Sequence, residues 1–337
     1  MNLSVIVCPV DFSASGQAAL RRALGLAQWH EAELHVLYVR PGRPRRNASG
    51  TTSADEPFLK RLVEFISSSN AEGVATTPVI LTGDPVEAVA EYARVKSADL
   101  VIVGQNGRRG SRFWSSGVLA TDIVRAVASP TLAVSKDAAV GTDVSVSFNN
   151  ILCAIDFSAA SLRALNKSLT LAQQSGGRIT LLHVLEGFPY EAVYSGSRAF
   201  RLIGEYRARV DKVKRELRAL VAPDALNWCE VETKVVSGIP HDAILAVAKE
   251  QASDLVVIGR PQRTILDRIV MASTLSGVLR RARCPVLAVP GPSDRTEVAW
   301  KAIGAQRYDD DETIVTSTLG ATLGVAPSGA PRHIEAS

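Results

Sequence analysis

The chain has 337 residues, 46% of them hydrophobic, and a formal net charge of +4. This length predicts two domains, and the apolar content is enough for a core in each. The small net charge gives no case for nucleic acid or a membrane surface as a partner. No apolar run reaches the ~18 residues of a membrane-spanning helix. Because no basic segment precedes the first apolar run, we also expect no signal peptide.

Strand-length apolar runs alternate with longer segments of helical period from the N-terminus onward. The runs are continuously apolar, which is typical of parallel strands covered by helices on both faces. Ser13 and Ser158 are predicted helix N-caps, as is Asp84 ahead of Pro85. In the first half the predicted elements are strand 3–10, helix 13–30, strand 33–39, helix 56–70, strand 74–81, helix 85–97, strand 99–104, helix 115–128 and strand 130–135.

The second half of the chain repeats the first. Two copies of this length are two domains rather than short structural repeats. We therefore predict domains over residues 1–140 and 148–291, with extra residues in a surface connection around 187–206 of the second copy. Residues 292–337 match neither copy and are predicted to be a flexible or docked tail. The repeated segments are Val7–Ser13 with Leu152–Ser158, Ala98–Gly104 with Ser253–Gly259, and Ser129–Val134 with Cys284–Val289.

Four cysteines, Cys8, Cys153, Cys229 and Cys284, show neither CxxC pairing nor zinc-ligand spacing. Cys8 and Cys153 occupy equivalent places inside apolar strand runs, which favours buried free thiols over disulfides. Free thiols suit a reducing compartment, so we expect a cytoplasmic protein.

The carboxyl ends of the predicted strands hold the candidate site residues. Open parallel sheets bind ligands at this edge, where the strand order reverses. Asp11 and Asp156 end the first strand of each half, and a loop rich in glycine and arginine follows the fourth strand at Gly104. Glycines allow close backbone approach to phosphates, and Arg108 would add positive charge. A solvated surface loop is the alternative interpretation.

Gly104, Gly107 and Gly117 follow the pattern G-x-x-G, nine residues, then G. This spacing resembles the nucleotide loop of the universal stress protein family. Val7–Ser13 and Ile151–Ser158 resemble the first-strand motif of the same family. The resemblance extends over both copies and leaves only the tail unexplained.

The resemblance implies an α/β fold of two tandem doubly wound domains, each with a five-stranded parallel sheet in the order 3-2-1-4-5. The last strand of each sheet would lie at an edge. Members of the family pair through that edge, so we expect self-association there, either within the tandem chain or in a homodimer.

The resemblance also implies which residues contact a nucleotide. Asp11 and the backbone near Val39 would do so in the first half, and Asp156 with the backbone near Val184 in the second. The glycine loop would hold the phosphates, together with a hydroxyl after its last glycine. Both copies depart from this pattern. Val118 replaces the hydroxyl in the first copy, whereas the second keeps Gly259 and Ser273 but has Gln262 and Ala272 at the other two glycine positions.

Three functions follow as hypotheses. The first is an ATP-binding regulatory module in the stress response, with the first half the stronger binder and Mg²⁺ present only with the nucleotide. The second is a scaffold that pairs through its last strands and binds no nucleotide. The third is a slow ATPase. The sequence offers no catalytic base and no metal-ligand spacing, so we expect no catalytic or metal site.

Overall fold

Both halves of the chain alternate strands and helices, as the apolar pattern predicts. The computed structural model describes residues 3–40, 42, 55–69, 73–105, 118–136, 147–186, 197–260 and 274–292, and the tail prediction lies outside these ranges. The first half contains β1 (Val5–Pro9), α1 (Ala14–His30), β2 (Glu33–Arg40), α2 (Glu56–Ser67), β3 (Thr76–Thr82), α3 (Pro85–Val95), β4 (Leu100–Gly104), α4 (Val118–Ala126) and β5 (Thr131–Val134).

The second half repeats this order of elements. It contains β6 (Asn150–Ala154), α5 (Ala159–Ser175), β7 (Arg178–Leu185), α6 (Ser197–Ala219), β8 (Glu230–Ser237), α7 (Pro240–Glu250), β9 (Leu255–Arg260), α8 (274–281) and β10 (Val286–Pro290).

The described strands form one ten-stranded sheet in the order β3-β2-β1-β4-β5-β10-β9-β6-β7-β8. Neighbouring strands are parallel within each half. Counted within its own half, each set of five strands has the order 3-2-1-4-5. The predicted fold class of two doubly wound α/β domains in tandem is therefore confirmed.

The two halves meet where β5 pairs with β10 in antiparallel orientation. Ala133 lies opposite Val286, Leu132 opposite Leu287 and Thr131 opposite Ala288, and these side chains are buried. Each last strand would otherwise expose a row of unpaired backbone groups. The expected pairing of last strands is thus present within the chain, and a homodimer stays a prediction. We call this β5–β10 contact the seam.

Alternating strand residues supply a hydrophobic core on each face of the sheet. In β1, Ile6 and Cys8 face the core covered by α1, α2, α5 and α6, whereas Val7 faces the core covered by α3, α4, α7 and α8. Both cores contain residues of both halves, so each runs on across the seam. Burial on both faces explains why the strand sequences are continuously apolar.

The predicted helix caps are confirmed. The hydroxyl of Ser13 accepts a hydrogen bond from the Gly16 N–H, and that of Ser158 accepts one from the Ser161 N–H. The Asp84 carboxylate accepts hydrogen bonds from the first turn of α3. Each cap binds backbone donors that the helix itself cannot satisfy.

A repeated aspartate has a structural role that the sequence did not disclose. The Asp99 carboxylate accepts hydrogen bonds from the Ser4 and Val5 N–H groups at 2.7 and 3.0 Å. Asp254 does the same for Asn149 and Asn150 at 2.7 and 3.1 Å. Each aspartate precedes the fourth strand of its half and ties it to the start of the neighbouring first strand. This contact explains why both copies keep the residue.

The connection after the second strand differs most between the halves. The second half carries α6, a helix of 23 residues, where α2 of the first half has 12. The extra residues that the sequence placed around 187–206 are therefore helical from Ser197 onward. Helical period is harder to recognise there because charged residues dominate this long, largely exposed helix.

Cys8, Cys153, Cys229 and Cys284 are all free thiols, and the first three are buried. The predicted free thiols are therefore confirmed. Burial raises the pKa of Cys153 to about 12 and that of Cys284 to about 11. Burial also raises the pKa of the Cys8 thiol far above its usual value.

We expect the native protein to react slowly with iodoacetamide at neutral pH, because the thiolate is the reacting form and each pKa is raised. Cys284 should react first, since it alone of the four is partly exposed. Mass spectrometry of partly labelled protein would measure the order. Labelling in denaturant provides the control. Preferential labelling of Cys153 in the native protein would contradict the burial of that thiol.

Candidate functional site

The chain order reverses between β1 and β4, and the candidate aspartate and glycine of each half lie there. β1 pairs with β2 on one side and with β4 on the other. Asp11 follows β1, and Gly104 ends the adjacent β4. In the second half Asp156 and Gly259 occupy the same positions beside β6 and β9. The structure thus brings these two predicted residues together in both halves.

The aspartate of each half holds a tight turn at the start of the following helix. One carboxylate oxygen of Asp11 accepts hydrogen bonds from the N–H and the hydroxyl of Ser13, and Asp156 binds Ser158 in the same way. The residues between them, Phe12 and Phe157, adopt left-handed conformations with φ of 58° and 64°. Bulky side chains rarely adopt this conformation, so the turn needs these hydrogen bonds.

The two aspartates differ in exposure. Asp11 is 8% exposed, whereas Asp156 is exposed. An exposed carboxylate is the more accessible group for a ligand hydroxyl.

Gly104 and Gly259 are required by packing. A Cβ atom on Gly104 would lie 2.7 Å from the carbonyl carbon of Ser15. On Gly259 it would lie 2.4 Å from the carbonyl carbon of Ala160. The end of the fourth strand therefore touches the first turn of the first helix in each half. This packing accounts for both glycines without any ligand.

A cavity of about 100 Å³ opens at the carboxyl ends of β6, β7 and β9. Three predicted site residues, Asp156, Val184 and Gly259, line it together. Its walls are otherwise mostly apolar, with a few polar groups, as in small-molecule sites. The remaining lining residues are Ala154, Ile155, Ser161, Leu182, His183, Glu186, Pro240, Ile244, Ile258 and Thr274.

His183 lines this cavity and is half-buried near the end of β7. Its Nδ1 lies 2.8 Å from the Ile155 carbonyl oxygen. A carbonyl can only accept, so Nδ1 donates, and in the neutral ring Nε2 is the acceptor. In the sequence, its position next to the predicted site residue Val184 was the signal that could have identified it. Tyr38 occupies the equivalent position in the first half and packs against Phe12 and Phe58.

The first half presents its predicted residues differently. Val39 is fully buried, backbone included, whereas its counterpart Val184 lines the cavity of the second half. Arg61 lies over the Phe12 ring at 4.4 Å from its centroid, on the face that carries α1 and α2. The predicted residues Gly107, Arg108, Gly117 and Ser273 lie outside the described residues.

Within the described residues, no group of three or more His, Cys, Asp and Glu side chains could hold a metal ion. The same part of the chain includes no helix long and apolar enough to cross a membrane.

Comparison with known proteins identifies relatives that each match less than half of the chain. A universal stress protein of Methanocaldococcus jannaschii is 26% identical over 146 residues, which are 43% of this chain and 84% of that protein. One of Bacillus subtilis is 28% identical over 150 residues, covering 42% of this chain and 99% of that protein. One half of the chain therefore corresponds to nearly a whole relative.

Solved structures share the fold of the tandem chain. A universal stress protein of Archaeoglobus fulgidus matches with a TM-score of 0.58 and 19% identity, over 86% of this chain and 97% of that one. A putative universal stress protein of Pseudomonas aeruginosa matches with a TM-score of 0.53 and 14% identity, over 90% and 98%. The sequence profile of the universal stress protein family matches residues 3–135 and again 147–290. Since these two matches span most of the chain, the protein belongs to the universal stress protein family and carries two of its domains in tandem.

Proposed function

We propose that this protein binds ATP at the carboxyl ends of its parallel strands and acts as a regulatory module in the stress response. The observation that carries the proposal is the cavity beside β6, β7 and β9, which joins Asp156, Val184 and Gly259. These are the second-half positions that the family resemblance implies for nucleotide contact. The structure and the resemblance therefore both support a site at the carboxyl ends of the second-half strands.

The cavity lining suits part of an adenine nucleotide. Leu182, Val184, Ile244 and Ile258 supply apolar walls for a flat base, and the His183 ring supplies a hydrogen-bonding edge. The volume of about 100 Å³ is below the roughly 300 Å³ of typical ligand pockets. The described residues would therefore hold only a portion of the nucleotide. Mg²⁺ would accompany the phosphates when they bind.

We propose the first half as the stronger binder on residue type. Gly107 and Gly117 can adopt any backbone conformation, whereas Gln262 and Ala272 carry a Cβ that disfavours positive φ. Val118 cannot donate a hydrogen bond to phosphate, which would cost roughly 1.5–3 kcal/mol with a charged acceptor. We expect the missing hydroxyl at Val118 to weaken the first site less than the non-glycine residues Gln262 and Ala272 weaken the second.

A scaffold that binds no nucleotide is the second candidate. The buried antiparallel seam favours it, because the pairing of the two halves needs no ligand. The departures of both loops from the family pattern point the same way. We propose no enzyme, and a slow ATPase ranks third.

Protein purified fresh, denatured and chromatographed should release ATP or AMP. Millimolar ATP should also raise the midpoint of thermal unfolding, because a ligand that binds only the native state stabilises it by about 2.7 kcal/mol at 100 times its Kd. If neither nucleotide nor a thermal shift is found, nucleotide binding fails and the scaffold is favoured.

Gly107→Val should abolish most nucleotide binding, because a β-branched residue resists the backbone freedom that the phosphate loop needs. Gln262→Val is the matched control, since it alters the equivalent position of the weaker half and should leave most binding intact. Equilibrium dialysis with ATP measures both. Gly104 is unsuitable for this test because a Cβ there would collide with Ser15. The reverse result would place the stronger site in the second half.

We expect no time-dependent ADP release above a denatured control. If release occurs, Asp11→Asn tests it, because the amide oxygen still accepts the hydrogen bonds from Ser13 that hold the turn while the negative charge is lost. Abolition of ADP release in Asp11→Asn, with an unchanged unfolding midpoint, would establish a slow ATPase.

A further inference from the structure

Arg260 connects the second-half site to the first half of the chain. It follows Gly259 at the end of β9 and is only 8% exposed. Its Nη1 donates to the Arg125 carbonyl oxygen at 3.0 Å, and its Nη2 donates to the Val127 carbonyl oxygen at 2.6 Å. Both acceptors lie at the C-terminal end of α4. Arg260, the residue after the cavity-lining Gly259, thus binds a helix of the first half.

The guanidinium of Arg260 is charged and forms no ion pair with an acidic side chain among the residues that the structure describes. Burial lowers the pKa of Arg260 to about 10, so it remains protonated at neutral pH. Within the described ranges its Nε has no hydrogen-bond partner. The last carbonyls of α4 supply partial negative charge at the helix C-terminus. This compensation is smaller than that of a carboxylate, so a nearby anion would stabilise the buried charge further.

A second contact crosses the seam in the opposite direction. Arg125 of α4 donates from Nη2 to the Ser276 hydroxyl at 2.8 Å. Ser276 lies in α8, whose residue Thr274 lines the cavity. The end of α4 therefore contacts two of the segments that border the cavity, the end of β9 and the start of α8.

The arrangement is asymmetric between the halves. The residue that follows Gly104 in the first half is Gln105, at the position of Arg260. Gln105 is 2% exposed, and its side-chain nitrogen has no hydrogen-bond partner among the described residues. A neutral amide replaces the cation there. Among the described residues, a buried charge joins the second-half site to the seam, and no equivalent joins the first-half site.

We propose that Arg260 couples anionic nucleotide binding in the second half to the pairing of the two halves. This inference rests on the proposed function. Phosphates bound beside Gly259 would stabilise the buried guanidinium, and the guanidinium holds α4 against the second half. Coupling between two sites is reciprocal, so the ligand would tighten the seam and the closed seam would tighten binding.

Hydrogen–deuterium exchange of the full chain tests the coupling. Peptides covering Thr131–Val134 and Val286–Pro290 report opening of the seam, with and without ATP. All variants are made in the Gly107→Val background, so that nucleotide bound to the protein reports the second half. Equilibrium dialysis on the same samples measures binding separately.

Arg260→Gln, which installs the residue of the first half, should speed seam exchange about tenfold without ligand, because charge-assisted hydrogen bonds across the seam are lost. ATP should slow seam exchange when Arg260 is present and should no longer do so in Arg260→Gln. Arg260→Lys keeps the charge and should retain part of the ATP effect. It also serves if Arg260→Gln does not fold.

Arg163→Gln is the matched control. Arg163 donates to the Gly291 carbonyl oxygen within the second half, so its loss removes an arginine–carbonyl bond that does not cross the seam. It should leave the effect of ATP on seam exchange unchanged. If Arg163→Gln abolishes that effect as Arg260→Gln does, the coupling through Arg260 is overturned.

Two further outcomes separate this inference from the proposed function. If ATP binds the Gly107→Val protein but seam exchange is the same with and without it, the coupling fails and nucleotide binding stands. If the Gly107→Val protein binds no ATP while the unmodified chain does, the coupling also fails and binding is confined to the first half. Absence of binding in both proteins overturns the proposed function itself.

Discussion

The antiparallel pairing of β5 with β10 is the contact on which the architecture depends. Each half alone would end in a strand with one unpaired edge, which is a site for aggregation or exchange with another chain. Joining the two edges buries the short strands Thr131–Val134 and Val286–Pro290 and makes one sheet from two. The cores on both faces then extend through the seam. The two domains have separate topologies, but their hydrophobic cores are shared.

The antiparallel direction of the seam also decides what lies beside each candidate site. A last helix runs opposite to its own strands, so the end of α4 reaches the carboxyl ends of the strands in the other half. Arg260 binds that helix end from beside Gly259. A buried arginine is costly unless its donors are satisfied, and the helix carbonyls meet this need for the two terminal nitrogens. Arg260, the residue after the cavity-lining Gly259, therefore joins the second-half site to a helix of the first half.

Repetition within the chain does not by itself distinguish function from folding. Asp11 and Asp156 hold the turn before a helix, and Gly104 and Gly259 allow a strand end to touch that helix. Asp99 and Asp254 tie the start of the first strand to the start of the fourth. These three pairs of equivalent residues are present because both copies fold alike. The informative positions are those where the copies differ, such as Gln105 against Arg260 and Tyr38 against His183.

The sequence by itself determined the duplication, the alternation of strands and helices, and the helix caps, because apolar periodicity and cap residues act over short distances along the chain. It also placed Asp156 and Gly259 at the carboxyl ends of their strands, whereas the strand order and the choice of Val184 followed from the resemblance to the family. It did not disclose the cavity residues His183 and Thr274, the helical extension of α6, or the role of Arg260. The cavity depends on packing among the elements of the second half, and the role of Arg260 depends on contacts across the seam between residues more than a hundred positions apart. Only the tertiary structure decides such contacts, because they are set by packing and burial rather than by local pattern.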